Sequence, residues 1–251
     1  MTQLLEGRTA IITGASRARG IGLATAKMFA EHGARIAVLD LDLSDAQAAA
    51  AGLGTGHLGL ACDVTDAAAC HAAVAQAIRH FGHLDILVNN AGLTQKRGVM
   101  DVTADDYDLV TGVVLRGTLH MSQAVVPHMR GRKSGSIICM SSMSAEQGGG
   151  VFGGTHYCAA KAGVLGMARA MAKELGPDNV RVNAVCPGLV MTDFSRGGTT
   201  DERKNEMAQA FPLRRVGQPS DIAGACLYLA SDLAAWVTGA TIDVNGGAFM
   251  H

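Results

Sequence analysis

The chain has 251 residues, of which 48% are hydrophobic and 17% charged, and its formal net charge is −1. This balance is typical of a globular protein with a substantial core, and it argues against a nucleic-acid or anionic-membrane surface. No apolar stretch approaches the ~18 residues of a membrane span, and the N-terminus lacks the basic and apolar regions of a secretory signal. We therefore expect a cytoplasmic protein.

Short apolar runs alternate with longer amphipathic or Ala-rich segments along the whole chain. The short runs predict buried strands at 9–13, 35–39, 58–62, 85–88, 136–140, 181–185 and 241–244. The segments between them predict helices at 22–32, 43–51, 67–81, 104–129, 155–175 and 219–231. Continuous apolar strands separated by helices imply a parallel sheet that is covered on both faces. The sequence therefore predicts one doubly wound α/β domain over residues 1–251, with about seven strands.

The first predicted strand leads into a glycine-rich turn and then into a helix. Gly14, Gly20 and Gly22 let the backbone approach a pyrophosphate at the positive N-terminus of that helix. Asp40 ends the second strand, where a carboxylate accepts hydrogen bonds from the adenosine ribose and repels a 2′-phosphate; a simple turn aspartate is the alternative. Arg17 favours the opposite preference, since a base in the loop can pair with that phosphate. We expect NAD, because an unpaired carboxylate beside a phosphate is the costlier arrangement.

Tyr157 and Lys161 stand four residues apart within a predicted helix. This spacing places a phenol and an ammonium group on one helical face. A nearby cation favours the phenolate, so we expect Lys161 to lower the pKa of Tyr157 toward the working pH. Such pairs are also common on solvated helix faces, so the neighbouring motifs decide the interpretation. The six cysteines form no C-x-x-C pair and the nine histidines no H-x-x-x-H pair, which predicts no disulfide and no catalytic metal.

Five motifs, in order, resemble those of the short-chain dehydrogenase/reductase family. They are residues 13–22, Asn89-Asn90-Ala91-Gly92, Ser142, Tyr157-x-x-x-Lys161 and Pro187-Gly188. The resemblance extends over essentially the whole chain, as far as residues 243–247. It implies a Rossmann-type sheet and a nicotinamide-dependent oxidoreductase that acts on a small-molecule substrate.

The resemblance also implies individual roles. Tyr157 is the general acid/base, Lys161 holds the nicotinamide ribose, and Ser142 hydrogen-bonds the substrate oxygen. The implied cofactor-binding residues are Gly14, Ser16, Arg17, Gly20, Ile21, Gly22, Asp40, Asp63, Val64, Asn90, Ala91, Gly92, Tyr157, Lys161, Pro187, Gly188, Val190 and Thr192. Ser144 is the alternative to Ser142, because many relatives place the serine 13 residues before the tyrosine; we favour Ser142 because it is the second serine of the strand-end pair.

Two features depart from the family pattern. The glycine loop is two residues longer than usual, and we expect residues 17–19 to bulge outward at little entropic cost. Val114 stands where relatives usually carry an asparagine that supports a helix irregularity and a water-linked proton path to Lys161. Three possibilities follow: backbone carbonyls hold the water, the proton takes another route, or activity is lost.

Loops 93–100, 144–156 and 191–215 are predicted to wall the substrate pocket. They offer few aromatics beyond Phe152 and Phe194, and a polar set made of Gln95, Lys96, Arg97, Glu146, Gln147, His156 and Asp193. Such a lining favours a polyol or sugar-like substrate.

Two other functions remain open. A 3-oxoacyl thioester reductase would use Arg130, Arg132 and Lys133 as a docking patch for a carrier protein. A non-catalytic NAD-binding scaffold is suggested by Val114. The resemblance implies a homotetramer, in which the apolar faces of 113–126 and 159–172 pack against partner copies.

Overall fold

The computed structural model describes residues 3–149, 153–194 and 198–251, and the seven strands within these ranges form one sheet in the order β3-β2-β1-β4-β5-β6-β7. The strands are β1 (Thr9–Thr13), β2 (Arg35–Asp40), β3 (Leu58–Ala61), β4 (Ile86–Asn89), β5 (Gly135–Met140), β6 (Val180–Pro187) and β7 (Thr241–Val244). Every neighbouring pair is parallel. The prediction of a doubly wound α/β sheet is confirmed.

Helices cover both faces of this sheet. They are α1 (Ile21–Glu31), α2 (Leu43–Ala51), α3 (Ala67–Phe81), α4 (Ala104–Thr111), α5 (Gly117–Arg132), α6 (Ser144–Gln147), α7 (Thr155–Leu175), α8 (Asp201–Ala208) and α9 (Pro219–Ala230). One core packs α3, α5 and α7 against the sheet, and the other packs α1, α2 and α9. The central strands are buried on both sides, which explains their continuous apolar runs.

The helix predicted over 104–129 is not one regular α-helix. A π-helical turn, Gly112–Arg116, separates α4 from α5, and Val114 within it is only 1% exposed. A π-turn of this kind frequently marks a functional site. The irregularity is therefore present although the usual asparagine is not.

The combined helical stretch Ala104–Arg132 is long enough to cross a membrane, and its most apolar window of 18 residues has a mean hydropathy of 1.2. The expectation that no apolar stretch approaches a membrane span is therefore wrong for this stretch, judged by its length and composition. Half of its most apolar window is buried inside the protein, where Val110, Met121 and Val125 are fully covered. Core packing accounts for these apolar side chains.

Two helices lie where the sequence predicted irregular loops. The first, α6, directly follows β5 and Ser142. The second, α8, is strongly polar, and its N-cap Thr200 accepts a hydrogen bond from the backbone N–H of Arg203. The ammonium of Lys204 in this helix is buried and donates to the carbonyl oxygen of Thr192 at 2.7 Å. The helix is thus anchored by this contact and, at its C-terminal end, by the packing of Ala208 against Leu189 and Val216.

Candidate active site

The glycine turn after β1 forms a cradle for the phosphates of a dinucleotide. Gly14 has φ +61°, and a Cβ on Gly22 would lie 2.6 Å from both the Asn90 side-chain nitrogen and the Gly14 carbonyl oxygen. Only glycine fits these positions without a backbone shift. Gly20, the N-cap of α1, has no side chain with which to cap the helix. The first N–H groups of α1, which begins at Ile21, are therefore available to an anion, and the cradle fits a pyrophosphate.

Thr13, the last residue of β1, ties the glycine turn to the end of β4. Its hydroxyl oxygen accepts the backbone N–H groups of Asn90 at 3.0 Å and of Ala91 at 2.9 Å. The side-chain amide of Asn90 donates to the carbonyl oxygens of Thr13 and Gly14 at 2.8 and 2.9 Å. These bonds fix the point at which the strand order reverses, where ligands bind in such sheets.

Asp40 lies at the carboxyl end of β2 and faces the glycine turn. Its carboxylate accepts the backbone N–H of Ser16 at 3.0 Å and the Ser16 hydroxyl at 2.7 Å, and its second oxygen accepts the N–H of Leu41 at 2.9 Å. The extra loop residues 17–19 are exposed, as expected from the sequence. Arg17 closes this bulge through its carbonyl oxygen, which accepts the N–H of Gly20 at 2.9 Å.

Asp63 and Val64, the predicted adenine contacts, follow β3. The carboxylate of Asp63 accepts the backbone N–H and the hydroxyl of Thr65 at 2.9 and 2.8 Å. Val64 is buried against α5, where its Cγ2 would lie 2.6 Å from a Cβ on Gly117. The side chain of Asp63 thus shapes the turn, and Val64 packs beside the cleft.

Tyr157 and Ser142 are in contact. Tyr157 is 5% exposed; burial raises its pKa to about 12, and a hydrogen bond with Ser142 opposes this shift. The backbone N–H of Ser144 donates to the Ser142 hydroxyl oxygen at 3.1 Å, which leaves the Ser142 proton free to be donated. Of the two candidate serines, Ser142 is the one that contacts Tyr157, and Ser144 orients it through its backbone.

Lys161 lies one turn along α7, with its Nζ 5.9 Å from the centre of the Tyr157 ring. The side chain is 3% exposed, and burial lowers its pKa to about 8. Its ammonium donates to the carbonyl oxygen of Met140, at the end of β5, at 2.7 Å. The predicted lowering of the Tyr157 pKa is wrong, because burial raises the pKa of the phenol by more than the hydrogen bond with Ser142 lowers it.

Val114 lies close to this buried ammonium. A Cβ on Gly92 would be 3.7 Å from the Lys161 Nζ and 3.9 Å from a Val114 methyl. The π-turn carbonyl of Val114 accepts the Thr118 hydroxyl at 2.7 Å. Lys161 and Val114 thus both border Gly92, and the Met140 carbonyl accepts the hydrogen bond of the ammonium.

The segment after β6, which the resemblance assigns to the nicotinamide, borders the cleft on the side of β6. Pro187 accepts the N–H of Met143 at 3.0 Å, and a Cβ on Gly188 would lie 2.7 Å from the Asn245 backbone. The carbonyl oxygen of Val190 accepts the N–H of Thr192 at 2.8 Å. This segment then brings Phe194 beside Tyr157, with the two ring centres 6.3 Å apart.

An ionic link that the sequence reasoning missed spans this cleft. The guanidinium of Arg19, on the lengthened glycine loop, lies 3.2 Å from the Asp193 carboxylate and 2.6 Å from that of Asp201 in α8. The pairing raises the pKa of Arg19 above its ordinary value, chiefly through the bond to Asp201. The unusual length of the glycine loop was the one feature of the sequence that pointed to this link. It gave no partner, because the acids lie more than 170 residues away along the chain.

Several of the predicted polar pocket residues are already paired. Arg97 lies 3.0 Å from Asp106, His156 lies 3.1 Å from the Gln95 side-chain oxygen, and Glu146 contacts the C-terminal histidine. Lys96 and Gln147 are exposed, as are Arg97 and Asp193 despite their ion pairs. Phe152, also predicted to line the pocket, lies outside the described residues.

Comparisons with known proteins agree with this geometry. A family model described as Enoyl-(Acyl carrier protein) reductase matches residues 14–249. An uncharacterised short-chain type dehydrogenase/reductase of Sinorhizobium fredii is 50% identical over 99% of this chain and 100% of its own length. The D-threitol dehydrogenase of Mycolicibacterium smegmatis is 39% identical over 97% and 93%. The 3-oxoacyl-[acyl-carrier-protein] reductase of Escherichia coli is 38% identical over 98% of each chain.

A solved structure gives the same result. The crystal structure of a short-chain alcohol dehydrogenase from Sinorhizobium meliloti has a TM-score of 0.90 and 37% identity over 98% of both chains. The chain therefore belongs to the short-chain dehydrogenase/reductase family. It is a Rossmann-fold oxidoreductase of a family that uses nicotinamide cofactors.

Proposed function

We propose that this protein is an NAD-dependent dehydrogenase that interconverts a secondary alcohol and a ketone. The observation that carries the proposal is the contact of the Tyr157 phenol with Ser142, with Lys161 one helical turn away. This group lies at the same sheet edge as the glycine cradle, between β5 and the segment after β6. A phenol and a hydroxyl that converge in this way can share one substrate oxygen.

Each of these residues has a distinct task in the proposed reaction. A bound nicotinamide accepts or supplies the hydride. Ser142 donates a hydrogen bond to the substrate oxygen, and Tyr157 exchanges the proton with that oxygen. The Lys161 ammonium offers two further donors beyond its bond to Met140, which suit the ribose hydroxyls and favour the phenolate. Phe194 reduces the access of water to the phenol.

Asp40 supports a preference for NAD over NADP. Its carboxylate lies at the end of β2 beside the glycine turn, held by Ser16. A 2′-phosphate at this point would meet a fixed negative charge. Arg17 is exposed on the outward bulge and does not neutralise the carboxylate through any contact in the described structure.

A polyol is the substrate class that we favour. The polar rim and the similarity to a D-threitol dehydrogenase support it. The pairing of Arg97 and Glu146 with other residues reduces the number of hydrogen-bonding groups that the substrate can use. A small polyol therefore fits this rim better than a long sugar chain.

Reduction of a 3-oxoacyl thioester is the second candidate, which the similarity to the Escherichia coli reductase supports. Its proposed docking patch is weakened by ion pairing. Arg130 bonds to Glu174 and Asp178, and Lys133 also bonds to Asp178. Arg132 lies 3.0 Å from a buried carboxylate at the start of β4. Such a patch presents little net charge to an acidic carrier protein.

The deciding experiment follows nicotinamide absorbance with NAD⁺ and with NADP⁺. The panel holds tetritols, pentitols, hexitols, simple secondary alcohols and a 3-hydroxyacyl thioester. NAD⁺-dependent oxidation of a polyol that Tyr157→Phe abolishes would support the proposal and rule out a non-catalytic NAD-binding scaffold. Turnover of the thioester alone, with NADP⁺ preferred, would refute both the cofactor and the substrate assignment. Cofactor binding without any turnover would favour the scaffold and direct attention to Val114.

The proposal extends to the assembly and its location. We propose a homotetramer of a cytoplasmic protein, with α5 and α7 at the contacts between copies. Leu119 on α5 and Tyr107 on α4 are partly exposed apolar side chains that suit such a contact. Size-exclusion chromatography with light scattering measures the number of copies directly.

A further inference from the structure

Four side chains with metal-binding atoms converge beneath the substrate loop. Glu146 comes from α6, Cys186 from β6 and Asp243 from β7, and one ligand atom of each lies within 4.8 Å of the other two. His251, the last residue, places its Nε2 3.3 Å from Glu146 and 3.1 Å from Asp243. Ligands bound to one zinc ion at 2.0–2.3 Å lie about 3.3–3.8 Å apart. The distances from His251 to the two acids match this range, and the atoms of Glu146, Cys186 and Asp243, all within 4.8 Å of one another, would draw together slightly around an ion.

One oxygen of each carboxylate in this cluster has no hydrogen bond from the residues that the structure describes. Glu146 Oε2 and Asp243 Oδ1 are buried, and neither accepts a hydrogen bond from any residue that the structure describes. A buried carboxylate oxygen without a donor is costly. Burial, reinforced by the two acids, raises the pKa of the Cys186 thiol to about 11. Three groups that are anionic when deprotonated thus share one space, and the imidazole of His251 lies beside the two carboxylates.

We propose that Glu146, Cys186, Asp243 and His251 form a structural site for a divalent metal ion of the zinc class. One thiolate, one imidazole and two carboxylates are a ligand set that suits tetrahedral Zn²⁺. On binding, the thiol releases its proton to solvent, and the metal replaces that proton on sulfur. The ion satisfies the two unpartnered oxygens and removes the repulsion between the acids.

The site joins parts of the chain that frame the catalytic residues. Glu146 lies four residues after Ser142, and Cys186 directly precedes Pro187. His251 brings the C-terminus onto both segments. The metal therefore fixes the positions of these segments and takes no part in hydride transfer. The inference does not depend on the proposed function, because it rests on a separate set of side chains.

Binding of Co²⁺ tests the proposed site, because its absorbance spectrum reports whether a thiolate is a ligand. We would titrate the full-length protein with Co²⁺ after removal of bound metal by EDTA, and we expect one equivalent to bind. A thiolate ligand produces an intense near-ultraviolet charge-transfer band, which should disappear in Cys186→Ala. Cys226→Ala is the matched control, since this cysteine is equally buried but packs on the opposite face of the sheet; it should keep the band.

A second variant tests the site without touching the core. His251→Gln removes one ligand from an exposed terminal residue and should weaken Co²⁺ binding at least tenfold, as loss of one ligand predicts. Zn²⁺ should raise the melting temperature of the unmodified protein and not that of Cys186→Ala. Absence of stoichiometric Co²⁺ and Zn²⁺ binding would overturn the proposal. A charge-transfer band that survives in Cys186→Ala would also overturn it.

Discussion

Lys161→Met should make the stability of this protein respond differently to pH. The ammonium is 3% exposed, and burial lowers its pKa from the ordinary 10.5 to about 8. Below pH 8 both the folded and the unfolded chain carry the charge, so folding bears the full cost of burying it. Between pH 8 and 10.5 the unfolded chain binds more protons than the folded chain. The free energy of unfolding of the unmodified protein therefore rises with pH in this window.

The size of the effect follows from the same pKa difference, which corresponds to about 3 kcal/mol in total. Integration from pH 7 to pH 10 gives about 2–3 kcal/mol of this amount. Methionine has a similar volume and no charge, so the variant lacks this pH-dependent contribution. Loss of the bond to the Met140 carbonyl adds a cost that does not depend on pH. The stability of the unmodified protein relative to Lys161→Met should thus increase by about 2–3 kcal/mol between pH 7 and 10.

Urea unfolding at pH 7, 8, 9 and 10, at one protein concentration, measures this difference. Other titrating groups are common to both proteins and cancel. Tyr157, with a pKa raised to about 12, reduces stability only above pH 10, outside the window. Lys173→Met is the control, because this lysine is exposed near the end of the same helix. A stability difference for Lys161→Met that stays constant with pH, or an equal response from Lys173→Met, would refute the reasoning.

Three further substitutions test the catalytic and cofactor assignments. Ser142→Ala should lower kcat/KM by about 10²-fold or more, whereas Ser144→Ala keeps the backbone N–H and should change it little; equal losses in steady-state assays would contradict the assignment. Asp40→Asn removes the charge that repels a 2′-phosphate, and it should shift the kcat/KM ratio toward NADP⁺ by about tenfold; an unchanged ratio would count against that role. Arg19→Ala breaks both ion pairs across the cleft and should raise the cofactor KM about two- to fivefold, less at high salt. Arg203→Ala, which breaks a pair within α8, should leave that KM unchanged.

The strands were predictable because both faces of a parallel sheet are covered. Each central strand is therefore a continuous apolar run, as in β1 and β5. The helix α8 was missed because its apolar contacts are confined to its last two residues, Met207 and Ala208. Its other anchor is the buried Lys204, whose partner Thr192 lies in a preceding loop. Local pattern carries no information about such a contact.

The candidate site divides in the same way. Tyr157, Lys161 and Ser142 were found because their spacing and order are local properties of the chain. The Tyr157 pKa was predicted in the wrong direction, because the sequence gives the distance to the cation along a helix but not the depth of burial. The cluster around Asp243 escaped notice because its members lie up to 105 residues apart in the chain. Only the fold brings them together.

The hydrogen bonds around Thr13 bear on how this protein can acquire new substrates. They lock β1, the glycine turn and the start of the segment after β4 into one unit. The facing segments, from Val190 to α8, are held by the ion pair of Arg19 with Asp201 and by the hydrogen bond of Lys204 to Thr192. Laboratory evolution should therefore tolerate mutations on that rim and reject them at Thr13. Libraries aimed at a new specificity belong in the rim beyond Thr192, where substitutions leave the hydrogen bonds around Thr13 intact.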